Sequence, residues 1–147
     1  MTGTIGRCLL LATLLLGAGC SVPMQETTPR ATLENTTWKL LELRGQPARV
    51  APNESAPNLL LDPAKKQVRG NTGCNGYSGR YELTGDTLRF GPLLSTRRAC
   101  ADPEMNRQES AFLKALDETR AWQITGEALV LTGDAGAVAR FAAQHGK

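Results

Sequence analysis

The sequence predicts a mainly β (α+β) domain: a small antiparallel, roughly eight-stranded barrel-like sheet with one packed α-helix over about residues 103–119. Three observations carry this. Short apolar segments recur at nearly even spacing between Thr37 and Ala142. Turn residues link several of them at hairpin distance, as many short antiparallel strands require. A single stretch after Asp102 breaks this pattern, with Met105, Phe112 and Leu116 recurring at helical spacing.

The elements follow in order. Residues 37–43 (Thr-Trp-Lys-Leu-Leu-Glu-Leu) form a first strand ended by the turn Arg44-Gly45-Gln46, and residues 46–57, with Pro47, Pro52 and Pro57, are a loop. Strands are expected at 58–62, 67–70, 78–83, 87–91 and 93–96, then at 121–125, 128–132 and 138–142. Thr84-Gly85-Asp86, Thr125-Gly126-Glu127 and Gly133-Asp134-Ala135-Gly136 supply turns between neighbours. So many short strands favour a sheet that closes or nearly closes, because closure removes exposed edges. The helix starts at Asp102-Pro103-Glu104, where an acid caps the first N–H groups, proline occupies the first helical position and a carboxylate meets the positive end of the dipole. Met105, Phe112, Ala115 and Leu116 then make one apolar stripe, which must be buried against the sheet.

The N-terminus carries a different kind of signal. Arg7 precedes an apolar run from Cys8 to Leu16, far short of the roughly 20 residues that span a bilayer, and the run ends in Leu16-Gly17-Ala18-Gly19-Cys20. This arrangement resembles the lipobox of bacterial lipoproteins, with Gly17 where that pattern prefers leucine. The resemblance implies cleavage before Cys20 and lipidation of its thiol. Ser21 in the next position then implies transfer to the outer membrane, facing the periplasm. The expected organisation is a signal peptide over 1–19, a polar, proline-containing tether over 20–33, one domain over 34–142 and a tail over 143–147.

Charge excludes one class of partner. The chain has 17 Lys+Arg against 14 Asp+Glu, a net +3 that is too small and dispersed for nucleic-acid binding. Cysteine usage is more informative. With Cys8 lost in the signal and Cys20 taken by lipid, Cys74 and Cys100 are left as a pair in an oxidising compartment. A disulfide is the economical reading, with two buried thiols or half of a metal site as alternatives. His145 is the single histidine, so a Cys/His metal site lacks ligands, and neither metal nor cofactor is expected.

The stretch Gly70-Asn71-Thr72-Gly73-Cys74-Asn75-Gly76-Tyr77-Ser78-Gly79-Arg80-Tyr81 resembles the signature of the META domain, the HslJ-like family. The segment Leu93-Leu94-Ser95-Thr96-Arg97-Arg98-Ala99-Cys100, then Glu109, Phe112 and Leu116, extends the likeness, as do Trp38-Lys39-Leu40 and the closing Leu129-Val130-Leu131 and Arg140-Phe141. It covers about residues 34–142 and marks Gly73, Asn75, Gly79, Tyr81 and Thr96 as signature positions. The resemblance implies a compact β-rich domain of bacterial envelope and secreted proteins, linked in some members to heat shock, antibiotic tolerance or virulence, and without a catalytic mechanism. Glycines at three-residue intervals suit turns and close backbone approach, and a strand rather than a helix follows them, which argues against a phosphate cradle. Asn75 is expected to cap neighbouring backbone groups or to take a left-handed turn.

No nucleophile and base come together: a Ser-His-Asp or Cys-His site would need His145 in the tail. Glu109 lies on or beside the apolar stripe of the helix and is expected to pair with Arg97 or Arg98, fixing helix to sheet or lining a pocket. The sequence thus points to a monomeric, lipid-anchored envelope protein, not an enzyme, whose domain binds an envelope protein or a small apolar ligand during envelope stress or outer-membrane upkeep. An envelope hydrolase using Asp102, Glu104 or Glu109 near the Cys74–Cys100 loop, and a structural component of an envelope assembly, are the alternatives.

Overall fold

A computed structural model describes residues 31–98, 100 and 102–145; the signal, Cys20 and most of the tether lie outside them. Ten strands and one helix follow in the order β1 Thr37–Leu43, β2 Gln46–Pro47, β3 Asn58–Asp62, β4 Gln67–Asn71, β5 Gly76–Thr84, β6 Thr87–Phe90, β7 Leu94–Ser95, α1 Pro103–Asp117, β8 Ala121–Thr125, β9 Ala128–Gly133 and β10 Gly136–Gln144. Every pairing is antiparallel. The order β10-β9-β8-β6-β5-β4-β3-β1, together with direct pairing of β10 on β1, runs the sheet round into a ring. The two-residue strands β2 and β7 hang from β1 and β5.

Alternation builds the ring. Leu59 and Leu61 in β3, Leu88 and Phe90 in β6, and Leu129 and Leu131 in β9 each place two side chains inward, two residues apart. Two bulges adjust this pattern. Leu41 has no partner in the β1–β10 register and stands exposed, while the shift at Val138 lets both Val138 and Ala139 face the core. The thinnest seam lies between β6 and β8, where Thr87 and Ala121 are partners, flanked by Leu88 N–H to Arg120 O and Trp122 N–H to Asp86 O, with Trp122 Nε1 donating to Gly85 O.

The helix begins as its sequence predicts: Asp102 accepts the Glu104 N–H at 2.9 Å and Pro103 takes the first turn. It ends at Asp117 rather than 119, because Thr119 turns its hydroxyl back on Ala115 O and its N–H on Leu116 O before the chain enters β8. Met105, Phe112, Ala115 and Leu116 are buried. Arg44, in the β1–β2 turn, pairs with Glu118 just past the helix, and that guanidinium holds the Glu118 carboxyl below its usual range.

Described structure continues past residues 34–142 at both ends. Leu33 is buried and its carbonyl accepts Trp38 Nε1 at 2.9 Å, and β10 continues to Gln144, opposite Thr37. Closing the ring requires this extra length, since the start of β1 would otherwise lack a partner on one edge. His145 follows with Nε2 2.8 Å from Glu127 Oε1.

Burial also couples the fold to pH. Tyr77 is buried in β5 and donates to Asn58 O at 3.0 Å, and burial pushes its phenol far above the usual range. A raised pKa stabilises the fold at neutral pH and loses that contribution as pH climbs past the unfolded value of about 10. Urea midpoints measured from pH 9 to 12 should fall for the wild type and fall less steeply for Tyr77→Phe.

Candidate functional site

Three of the signature residues, Gly73, Asn75 and Thr96, converge where β4 turns into β5, against β7 and the second turn of α1. Thr72, fully buried, closes that turn: its N–H and hydroxyl both donate to Asn75 O, and its Oγ1 accepts the Asn75 N–H at 3.1 Å. Gly73 sits inside it at φ +107, and a Cβ there would lie 2.7 Å from Met105 Cε. Gly79, further along β5, is held by close approach instead, since a Cβ would meet Pro92 O at 2.8 Å. Tyr81 belongs to the core and its hydroxyl donates to Glu34.

Asn75 is the hub. It is 3% exposed, and its side chain uses both acceptor and both donor positions. Oδ1 accepts Thr96 Oγ1 and the Arg98 N–H, each at 2.9 Å; Nδ2 donates to Arg98 O at 2.9 Å and to Glu109 Oε2 at 2.8 Å. One amide therefore ties the β4–β5 turn, the segment after β7 and the helix together. The backbone of Asn75 is not left-handed. Its side chain instead caps the backbone of Arg98, while Thr72 holds the Asn75 main chain; the sequence signal for that second role is a hydroxyl three residues before the asparagine.

Glu109 does not pair with Arg97 or Arg98. Its oxygens take Asn75 Nδ2 and Ser95 Oγ, the latter at 3.0 Å. The reason is geometric. Asn75 captures both backbone groups of Arg98, which sends the guanidinium the other way, onto Cys74 O at 2.7 Å and within 3.6 Å of Glu54. Arg97 is exposed at the rim. Cys74 and Cys100 form the disulfide, with Cα atoms 5.8 Å apart. The double variant Cys74→Ser/Cys100→Ser should lose about 3 to 4 kcal/mol of stability, the loop entropy released by a separation of 26 residues, as measured by urea denaturation.

Two depressions flank this cluster. A groove of about 620 Å³ runs between β7 and α1; Asn75, Ser95, Thr96, Arg97, Arg98 and Glu109 are among its polar lining, so both arginines share this pocket with Glu109 without pairing to it, and Leu93, Leu94 and Leu113 are its apolar lining. A smaller cavity of about 260 Å³ opens on the disulfide, beside Glu54, Asp102 and Met105. The three acids have separate surroundings: Asp102 caps the helix, Glu104 pairs with Arg107 on the surface, and Glu109 lines the groove.

A ring-like antiparallel sheet crossed by one helix, with a disulfide and an asparagine hub locking the signature turn to that helix, defines a small α+β domain. The META domain model matches residues 31–146, so the chain belongs to the META domain family. It is 26% identical over 121 residues to heat shock protein HslJ of Escherichia coli K12, covering 82% of this chain and 84% of that protein. It is also similar to a protein from Burkholderia xenovorans solved by NMR, at TM-score 0.60 and 26% identity, covering 85% of this chain and all of that one. A DUF4847 family protein from Bacteroides vulgatus, 14% identical at TM-score 0.53 and covering 78% of this chain and 96% of that one, shares the fold alone.

Proposed function

We propose that this META domain is a non-catalytic binding module, carried at the periplasmic face of the outer membrane by lipid on Cys20, and that it serves envelope stress response or outer-membrane upkeep. The lipobox-like segment ending in Cys20 supports the anchor, and likeness to a protein named for heat shock supports the stress role. The observation that carries the binding role is the groove beside α1. Leu94, at its rim, is 77% exposed, the most exposed large apolar side chain among the described residues. The polar wall next to it is fixed by internal hydrogen bonds, so the wall is preorganised while the leucines remain available. Burying Leu94 alone against a partner contributes about 2 kcal/mol. The occupant that fits is an apolar segment of an envelope protein laid against β7 and α1.

A photo-crosslinking residue at position 94, in the full chain expressed in a bacterial envelope, should yield discrete protein adducts that the same probe at Leu41 does not. Adducts equal at both positions, or only lipid adducts, would overturn the reading. The anchor is read separately: Cys20→Ala should lose the acyl mass and move the protein into the soluble fraction, and an unchanged membrane fraction would remove the lipid from the account.

A further inference from the structure

The sequence contains too few histidines for a Cys/His metal site, but the fold brings a third ligand of another kind to the cysteines. One donor atom from each of Cys74, Cys100 and Glu109 lies within 4.8 Å of the others, and Glu109 Oε2 is 3.9 Å from Cys100 Sγ. We propose that these residues form a thiol-gated site for a thiophilic divalent ion, Zn²⁺: closed while the disulfide stands, able to bind once it is reduced.

Five features support it. Tetrahedral zinc, with sulfur at about 2.3 Å and carboxylate oxygen at about 2.0 Å, sets its ligand atoms about 3.5 to 4 Å apart, and the 3.9 Å between Glu109 Oε2 and Cys100 Sγ already matches. Cα atoms 5.8 Å apart let the freed sulfurs separate to that distance by side-chain rotation, without moving the backbone. Glu109 is aimed before any metal arrives, because Asn75 Nδ2 and Ser95 Oγ hold its two oxygens as outer partners hold a ligand. The cavity beside the sulfurs, lined also by Glu54 and Asp102, leaves room for water in the fourth position. Arg98, bound to the carbonyl of Cys74, keeps a positive charge beside the pair, which favours thiolates and offsets the excess negative charge of two thiolates and a carboxylate. The oxygen ligand favours Zn²⁺ over Cu⁺.

The step balances. A dithiol reductant delivers two electrons and two protons; the Cys74–Cys100 bond breaks to two thiols while the disulfide of the reductant forms. Zn²⁺ then replaces the two thiol protons, which pass to solvent, and gains Glu109 Oε2 and one water. Glu109 also lines the groove, but this inference does not rest on what occupies the groove, since metal uptake by the purified reduced chain is read with no groove partner present.

The test uses the mature chain with Co²⁺ as a spectroscopic probe and Zn²⁺ as competitor. Phosphine-reduced protein should take up one equivalent of Co²⁺ with a near-ultraviolet thiolate-to-metal absorption that one equivalent of Zn²⁺ erases; the oxidised protein should give none. Glu109→Gln should weaken uptake by about 10- to 100-fold, at least the loss seen when an outer partner of a ligand is removed. Each cysteine-to-serine variant should halve the thiolate absorption or abolish it. Reduced wild type that takes up no metal, or uptake undiminished in Glu109→Gln, overturns the proposal. Circular dichroism guards against misfolding: a reduced protein that is unfolded and stays unfolded with Zn²⁺ also counts against it.

Discussion

Asn75→Ala should destabilise the domain by about 3 to 5 kcal/mol and lower Tm by about 15 °C, more than any surface substitution. The substitution removes no large apolar volume, so the loss comes from partners left behind. Thr96 Oγ1, the Arg98 N–H and carbonyl, and Glu109 Oε2 all depend on this one amide. A buried group stripped of its partner costs about 1 to 3 kcal/mol, but the groove lets water reach Thr96 and Glu109, so the four losses do not sum in full. Asn75→Asp separates this explanation from simple loss of volume. It keeps the acceptors for Thr96 and Arg98 N–H, yet replaces a donor with a second carboxylate oxygen facing Glu109. It should therefore be no more stable than Asn75→Ala in urea denaturation; a clear rescue by Asp would refute the hub.

The parts of this domain written in local pattern were visible in the chain, and the parts made by distant partners were not. Short apolar runs bounded by turn residues, such as 58–62 and 128–132, and Asp102-Pro103-Glu104 ahead of an apolar stripe, fix strand and helix positions because turn chemistry and helical period act on neighbours. Strand ends were less clear. β5 starts at Gly76 and β10 reaches Gln144 because partner strands extend them, which no property of those residues announces. The bulge at Val138 likewise follows from two strands fitting at once. In the site, the cysteine pair followed from cysteine arithmetic, whereas the partner of Glu109 did not. Opposite charge pointed to Arg97 or Arg98; the fold gives Glu109 an amide 34 positions away, because Asn75 had already set the direction of Arg98. Charge complementarity ranks partners only after the backbone has decided which groups face each other.

Phe112→Ala should cost about 4 to 5 kcal/mol, the upper part of the range for deleting a buried aromatic ring. Phe112 is fully buried and stacks edge-on to Tyr77 of β5, centroids 5.8 Å apart at 88°, and tilted to Phe141 of β10 at 6.2 Å and 52°. Those two strands are separated by β6, β8 and β9 on one side of the ring and by β4, β3 and β1 on the other, so they stand opposite each other. One helical side chain therefore spans the ring and touches both walls. Its removal opens a cavity that neither wall fills without moving toward the other, which the hydrogen-bonded ring resists; the site can collapse little, and cavities that cannot collapse cost most. Phe112→Leu should recover more than half of the loss, since it restores most of the volume but neither aromatic contact. The same lever acts on the groove, because α1 carries Glu109 and Leu113 on the turn that Phe112 pins. Hydrogen exchange should report it: in Phe112→Ala the amides of α1 and of Ser95 to Arg98 should lose protection ahead of those in β3 and β4. Uniform loss across all strands would mean that the helix is no separate clamp on the site.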